Sequence, residues 1–235
     1  MSEQPAFPPL MSGDAVSGQA DPFEVACQRA VLGCDAGLIV YNLAADRLRA
    51  ALVFAPEVPL ERAMAMLPAC GIGFQNALGA LAPPEVAMHL EWDGKIRVNG
   101  ASCGLLRAAA SSEDPTAAPD WLVIGFDLPL WPEQEDGGQN PGETALYAEG
   151  CAGVSAPDLL ESWARHTLHW IARWEEAGNA PLHREWRGLM HGVGEPVTRQ
   201  GIEGSFLGLD ENFNMLLRDG ETTHLIPLSS VLERF

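Results

Sequence analysis

Lysine is almost missing. Lys95 is the only one in 235 residues, and lysine plus arginine number 14 against 32 aspartates and glutamates. The formal net charge of -18 gives a field that repels a phosphate backbone, so nucleic acid is not an expected partner. Any chemistry that needs a lysine has one position to draw on. Cysteines are also few. Residues 27, 34, 70, 103 and 151 make five, an odd number without a C-x-x-C pair. That spacing argues against a disulfide framework or a zinc cage, so no metal site is expected and a reducing cytoplasm fits best. The N-terminus has neither a basic region nor a long apolar run, so no signal peptide is expected. No apolar stretch is read as reaching the ~20 residues of a membrane span, so a membrane partner is not expected either.

What is present centres on residues 86 to 109. Val86, Met88 and Leu90 alternate with Ala87, His89 and Glu91, and Ile96 and Val98 alternate with Lys95, Arg97 and Asn99. A period of two marks half-buried strands, with one face in a core and one free for a site. Asp93-Gly94 and Asn99-Gly100 separate the strands, and each is read as a left-handed residue followed by glycine.

Around this centre the chain falls into three parts. Residues 1 to 20 are rich in Pro, Ser, Gly and Ala and read as a flexible segment, extended or partly disordered. Residues 21 to 190 alternate helices and strands. Asp21-Pro22 caps a helix ending at Gly33. GLIVYNL and RLRAALVFA follow as paired strands, with only Ala44-Ala45-Asp46 between them. Helices are expected from Pro59 to Leu67 and from Gly71 to Leu81, and a further strand at 121 to 126. Pro129 to Gly142 reads as loop or lid. Ser155 to Gly178 is a long helix with a capping box at Ser155 and Asp158. Its apolar stripe carries Trp163, Trp170 and Trp174, which at helical spacing reads as core. A short helix, Pro181 to Met190, follows. Residues 191 to 235 change texture to short β segments with turns at Asp210-Glu211-Asn212 and Asp219-Gly220, which suggests a small SH3-like barrel.

The central stretch resembles the biotin/lipoate protein ligase superfamily. Biotin ligases carry Lys-Trp-Pro-Asn-Asp and, past a strand and turn, Lys-Leu-Ala-Gly-Ile-Leu. Here Glu91-Trp92-Asp93-Gly94 and Ala101-Ser102-Cys103-Gly104-Leu105-Leu106 stand in those places. CDAGLIVYN is similar to the strand entering the family's biotin pocket, APLHREWRG to its last helices, and GSFLGLDENFNMLLRDGETTHLIPLSSV to its C-terminal β domain. The resemblance implies an α+β fold: a ligase-like domain of mixed sheet and packed helices, then the small β-barrel. It also implies an activity, joining biotin, lipoate or a related carboxylic acid to AMP and passing it to a lysine of a carrier-domain protein. ATP and Mg would be used if that activity is kept, and a homodimer is implied by analogy. The implied substrate-binding residues are Asn42, Trp92, Asp93, Gly94, Gly104 and Gly125.

Three features of that family are absent. Its Gly-Arg-Gly-Arg-Arg-Gly loop is replaced by Ala44-Ala45-Asp46. Its central lysine, which faces carboxyl and phosphate, is Glu91. Its Gly-Ala-Gly-Ile-Asn is Gly125-Phe126-Asp127-Leu128-Pro129. Arg47 and Arg49 follow the short turn and are read as a strand's solvated face or as replacement charge. Lys95 is either a stand-in for the lost lysine or an exposed hairpin residue. Cys103 is either a thiolate nucleophile activated by His89, as in ATP-independent octanoyl transferases, or a small packing residue. Gly71-Ile72-Gly73 is read as a phosphate-loop fragment or a helix start. Two functions therefore stand against each other. One is a ligase with altered parts. The other is a catalytically degenerate relative that binds a small ligand or protein partner, with an acyltransferase as a further variant.

Overall fold

In the computed structural model the structure describes residues 5–132 and 142–235. The expected lid, 129–142, therefore lies mostly outside the described residues. The glycine turns build one edge of a seven-stranded sheet. Strands β1 (Ser12–Ala15), β2 (Leu38–Leu43), β3 (Arg47–Phe54), β4 (Met88–Leu90), β5 (Lys95–Val98), β6 (Ala101–Ala110) and β7 (Leu122–Pro129) lie in the order β1-β2-β3-β7-β6-β5-β4. β1 runs parallel to β2, and the other pairs are antiparallel. Asn99 and Gly100 both adopt positive φ, 50° and 91°, as the hairpin signal requires. At the other turn only Gly94 does, at 94°. That turn spans Glu91 to Gly94 and closes with the Gly94 amide donating to the Glu91 carbonyl at 3.0 Å.

The N-terminal segment is extended over Ser12 to Ala15 rather than disordered. Ser12 to Ala15 form an edge strand against β2, and the Phe7 ring lies 5.7 Å from that of Tyr41. Composition concealed this because the strand's pairing is parallel and its partner lies far along the chain.

Helix α1 (Pro22–Val31) covers one face of the sheet, with Asp21 as its N-cap. Phe23, Ala26 and Cys27 meet Val40, Ala51, Val53 and Val123 there. The opposite face holds the larger core beneath α2 (Leu60–Ala63), α3 (Met66–Leu81), α4 (Ala156–Ala177) and α5 (Asn179–Leu189). Alternation along each strand produces this division: Ile39, Leu52, Ile124 and Phe126 point into the second core. Ser155 and Gly178 cap α4 as expected. Trp163 is fully buried, and its indole donates to the Cys70 carbonyl at 3.1 Å. Trp170 and Trp174 lie half-exposed as the helix leaves the core.

The helix expected from Gly71 instead starts at Met66, because Pro68 falls in a first turn where its missing N–H costs nothing. Gly71 and Gly73 sit inside α3. A Cβ on Gly71 would come within 2.7 Å of the Trp186 ring, and one on Gly73 would strike Thr167. These glycines serve close helix packing. The stretch Leu60–Leu81 is apolar enough by composition to cross a membrane, but 72% of its most apolar window is buried inside the protein. It is a core element of the fold.

Strands β8 (Pro196–Arg199), β9 (Ile202–Leu209), β10 (Met215–Asp219) and β11 (Thr222–Ile226) form an antiparallel sheet in the order β11-β10-β9-β8. It is an open four-stranded sheet rather than a closed barrel. Phe206, Phe213, Leu217 and Ile226 join the same apolar cluster as the large sheet's core. So short a sheet buries too little alone, and the main core completes it.

Candidate binding site on the α1 face of the sheet

Residues directly opposite one another in an antiparallel sheet share a face. Register therefore places Asn42, Arg49, Asp127, Leu105 and Lys95 in one row across β2, β3, β7, β6 and β5. The next row is Val40, Ala51, Gly125 and Arg107. Both rows lie on the face that carries α1. The implied binding residues Asn42 and Gly125 thus flank a charged patch, while Gly104 pairs with Ile96 of the other core.

Asp127 is its centre. Arg47 Nη1 lies 3.3 Å from both carboxylate oxygens and donates to Oδ2. Burial pushes the Asp127 pKa above its ordinary value, while Arg47 and then Arg49 pull it back. Arg49 is half-buried, and its Nε has no hydrogen-bond partner among the described residues. These arginines are only partly solvated: the Arg47 side chain is 32% exposed and is paired with Asp127, and the Arg49 Nε is buried. The β2–β3 turn is pinned beside them: the Asp46 carbonyl accepts from the Leu130 and Trp131 amides at 2.7 and 3.2 Å.

One row deeper, Arg107 donates through Nη1 to Asp21 Oδ2 at 2.6 Å. It forks onto Glu233 through Nε (2.8 Å) and Nη2 (2.7 Å). Its guanidinium carbon stands 4.2 Å above the Phe23 ring. Neither Arg107 nor Glu233 was picked out from the sequence. The signal was there: a lone charge between Gly104-Leu105-Leu106 and Ala108-Ala109-Ala110 in an apolar strand.

The hairpin contributes a closed set of ion pairs. Arg97 donates through Nε to Glu91 Oε1 at 2.6 Å, and Lys95 Nζ lies 3.7 Å from Glu91 Oε2. Lys95 is thus an exposed residue whose charge is turned to Glu91. Asp93 pairs with Arg199 of β8 at 2.7 Å. Trp92 is buried, and its indole donates to the Phe213 carbonyl at 2.8 Å. Trp92 and Asp93 therefore tie the hairpin to the small sheet. Asn42 donates to the carbonyls of Gly18 and Ala20, both at 3.2 Å, and anchors the segment entering α1.

The glycines are spacers. A Cβ on Gly94 would lie 2.9 Å from the Leu106 carbonyl oxygen, one on Gly125 would meet the Phe23 ring at 2.7 Å, and one on Gly104 would strike the Asp127 carbonyl. Cys103 is fully buried, and burial pushes its thiol up to about 12, with Glu149 and Cys151 adding to the rise. A nucleophilic thiolate needs the opposite environment.

The model of the biotin/lipoate A/B protein ligase family matches residues 7–188, and that of a domain of unknown function, DUF4444, matches 193–234. Among curated proteins nothing matches. A biotin protein ligase-like protein of unknown function from Silicibacter sp. TM1040 is 66% identical, with 98% of this chain and 100% of that one covered and a TM-score of 0.93. The Aquifex aeolicus biotin protein ligase in complex with biotin and ATP is 13% identical, with 92% and 95% covered and a TM-score of 0.71. The Leishmania major enzyme in complex with biotinyl-5-AMP is 15% identical, with 93% and 99% covered and a TM-score of 0.56. These two share the fold. With its family model spanning most of the length and its mixed sheet, packed helices and C-terminal antiparallel sheet in place, the chain belongs to the biotin/lipoate A/B protein ligase family.

Proposed function

We propose that this protein binds a small carboxylic acid of the biotin or lipoate type on the α1 face of its sheet and does not activate it with ATP. The observation that carries this reading is the state of the cations. At the family's lysine position stands Glu91, and it holds Arg97 and Lys95 in ion pairs. Arg49, on the face that carries Asn42 and Gly125, has a buried Nε without a partner among the described residues. A buried donor left unpaired costs free energy, which an acceptor atom of a bound ligand would relieve.

Adenylation asks for more. The triphosphate and the developing charge need several converging cations or a glycine-rich nest. In their place are the pinned Ala44-Ala45-Asp46 turn, the Glu91 cluster and the Asp127 carboxylate. Asp46 and Asp127 bring negative charge to the places where the family brings arginine and glycine. These residues do not fit ATP and Mg. An acyl transfer on Cys103 fares no better, given its buried thiol.

Calorimetric titration with biotin, lipoate, octanoate, ATP and a non-hydrolysable biotinoyl-adenylate tests the reading. One of the acids binds, Arg49→Met weakens it about tenfold or more, and ATP gives no heat. Adenylate binding tighter than the free acid by several orders of magnitude would overturn it, since that is the mark of a retained adenylating site.

A further inference from the structure

Arg107 is held from three sides, and the three partners differ in how firmly they are fixed. Asp21 is the N-cap of α1 and also accepts from the Phe23 amide, so its carboxylate is built into the helix start. Phe23 is 4% exposed and covers the guanidinium plane. Glu233 is different. Its side chain is 41% exposed against 21% for Arg107. It belongs to a segment, residues 232–235, that leaves a short turn at Leu228–Val231 and runs along β6 beyond the end of β5.

That segment is lightly attached. The Glu233 amide donates to the Ala108 carbonyl at 2.8 Å. Arg234 approaches Glu113 at 3.4 Å, with side chains 90% and 69% exposed, a contact that water competes for. The Phe235 ring stands edge-on to Trp121 and is 59% exposed.

The geometry points to Arg107 as the receptor for a ligand's carboxylate, with Glu233 occupying it until the ligand arrives; we propose that binding frees residues 232–235 from β6. The inference deepens the acid-binding reading and rests on it. A two-toothed arginine–carboxylate contact is the geometry by which arginine recognises any free carboxylate. Exchanging Glu233 for a ligand acid preserves both hydrogen bonds and the local charge. Asp21 and Phe23 keep the fork aimed during the exchange. Arg107 stands opposite Gly125, one row from Arg49 and Asp127, so an acid reaching it lies within the described site.

Titrations with biotin, lipoate and octanoate, run on the wild type, Glu233→Gln and Arg107→Lys, test the proposal alongside hydrogen exchange at the Glu233 amide. Removing the internal competitor in Glu233→Gln tightens acid binding about tenfold, as when a competitor occupies the site nine-tenths of the time. Arg107→Lys, which keeps charge but loses the fork, weakens it. Acid speeds exchange at Glu233 in the wild type. An acid that binds through Arg49 with no change in Glu233→Gln or in exchange would overturn this proposal and leave the acid-binding reading standing. Absence of binding in all three proteins would overturn both.

Discussion

Arg97 Nε and Glu91 Oε1 stand 2.6 Å apart, so Glu91 anchors a cation within the hairpin. The Glu91 side chain is 18% exposed and the Arg97 side chain 23%, so the pair is only partly screened by water. A partly buried pair loses more when reversed than when neutralised.

Glu91→Lys therefore does not restore a ligase. It sets three cations together and lowers stability by about 1–3 kcal/mol, between the exposed and buried limits for ion pairs. Glu91→Gln costs less. Thermal melts of the two variants at low and high salt check this, and salt narrows the gap between them.

The glycine substitutions rank by what they strike. Gly104 has φ 144°, and its Cβ would meet the Asp127 backbone carbonyl, which the β6–β7 ladder holds in place. Gly104→Ala lowers stability by about 2–3 kcal/mol. At Gly125 the obstacle is the Phe23 ring, which can shift, so Gly125→Ala costs less. Its effect falls on the Arg107 site, because Phe23 is the surface under that guanidinium. Denaturant unfolding with acid titration separates the two.

Trp92 tests how the small sheet is held. Trp92→Phe removes the bond to the Phe213 carbonyl at a cost of about 1 kcal/mol. Trp92→Ala costs about 3–5 kcal/mol. Hydrogen exchange then rises first in β9 and β10, since Phe213 leads into β10 and both strands use the shared core.

Much of this fold was legible because the signals were local. Asn99-Gly100 is a turn by backbone necessity, and Ser155, Asp158 and Gly178 frame α4. What was missed depended on partners distant in sequence. Ser12 to Ala15 needed β2, and the small sheet's edges gave no hint that they stay apart. At the site, the losses of lysine and glycine were visible as substitutions. The Asp21–Arg107–Glu233 network was not, because its three members span nearly the whole chain.

Asp127 sets a pH dependence. Its folded pKa is raised above the ordinary value of about 3.9, so the folded state holds its proton more tightly than the unfolded one. Its contribution is then most favourable in acid and is lost as pH rises through the folded value. Asp127→Asn accordingly gains stability relative to the wild type as pH rises, and paired melts across the carboxylate range record the crossover.

Thiol labelling sorts the five cysteines. Cys34 is the partly exposed one, and Cys103 is sealed with its thiol near 12. Native protein with iodoacetamide at neutral pH is modified first at Cys34, and Cys103 reacts only on unfolding, as mass spectrometry would show.

Acid-dependent exchange of labelled pyrophosphate into ATP reads adenylation directly, without a carrier protein. With biotin, lipoate or octanoate at concentrations that saturate the calorimetric site, the account predicts exchange no greater than in the acid-free blank, while the Arg49-dependent acid binding persists. Exchange that appears only when one of these acids is present, and that scales with its occupancy, would mean the protein still makes an acyl-adenylate and would contradict the account.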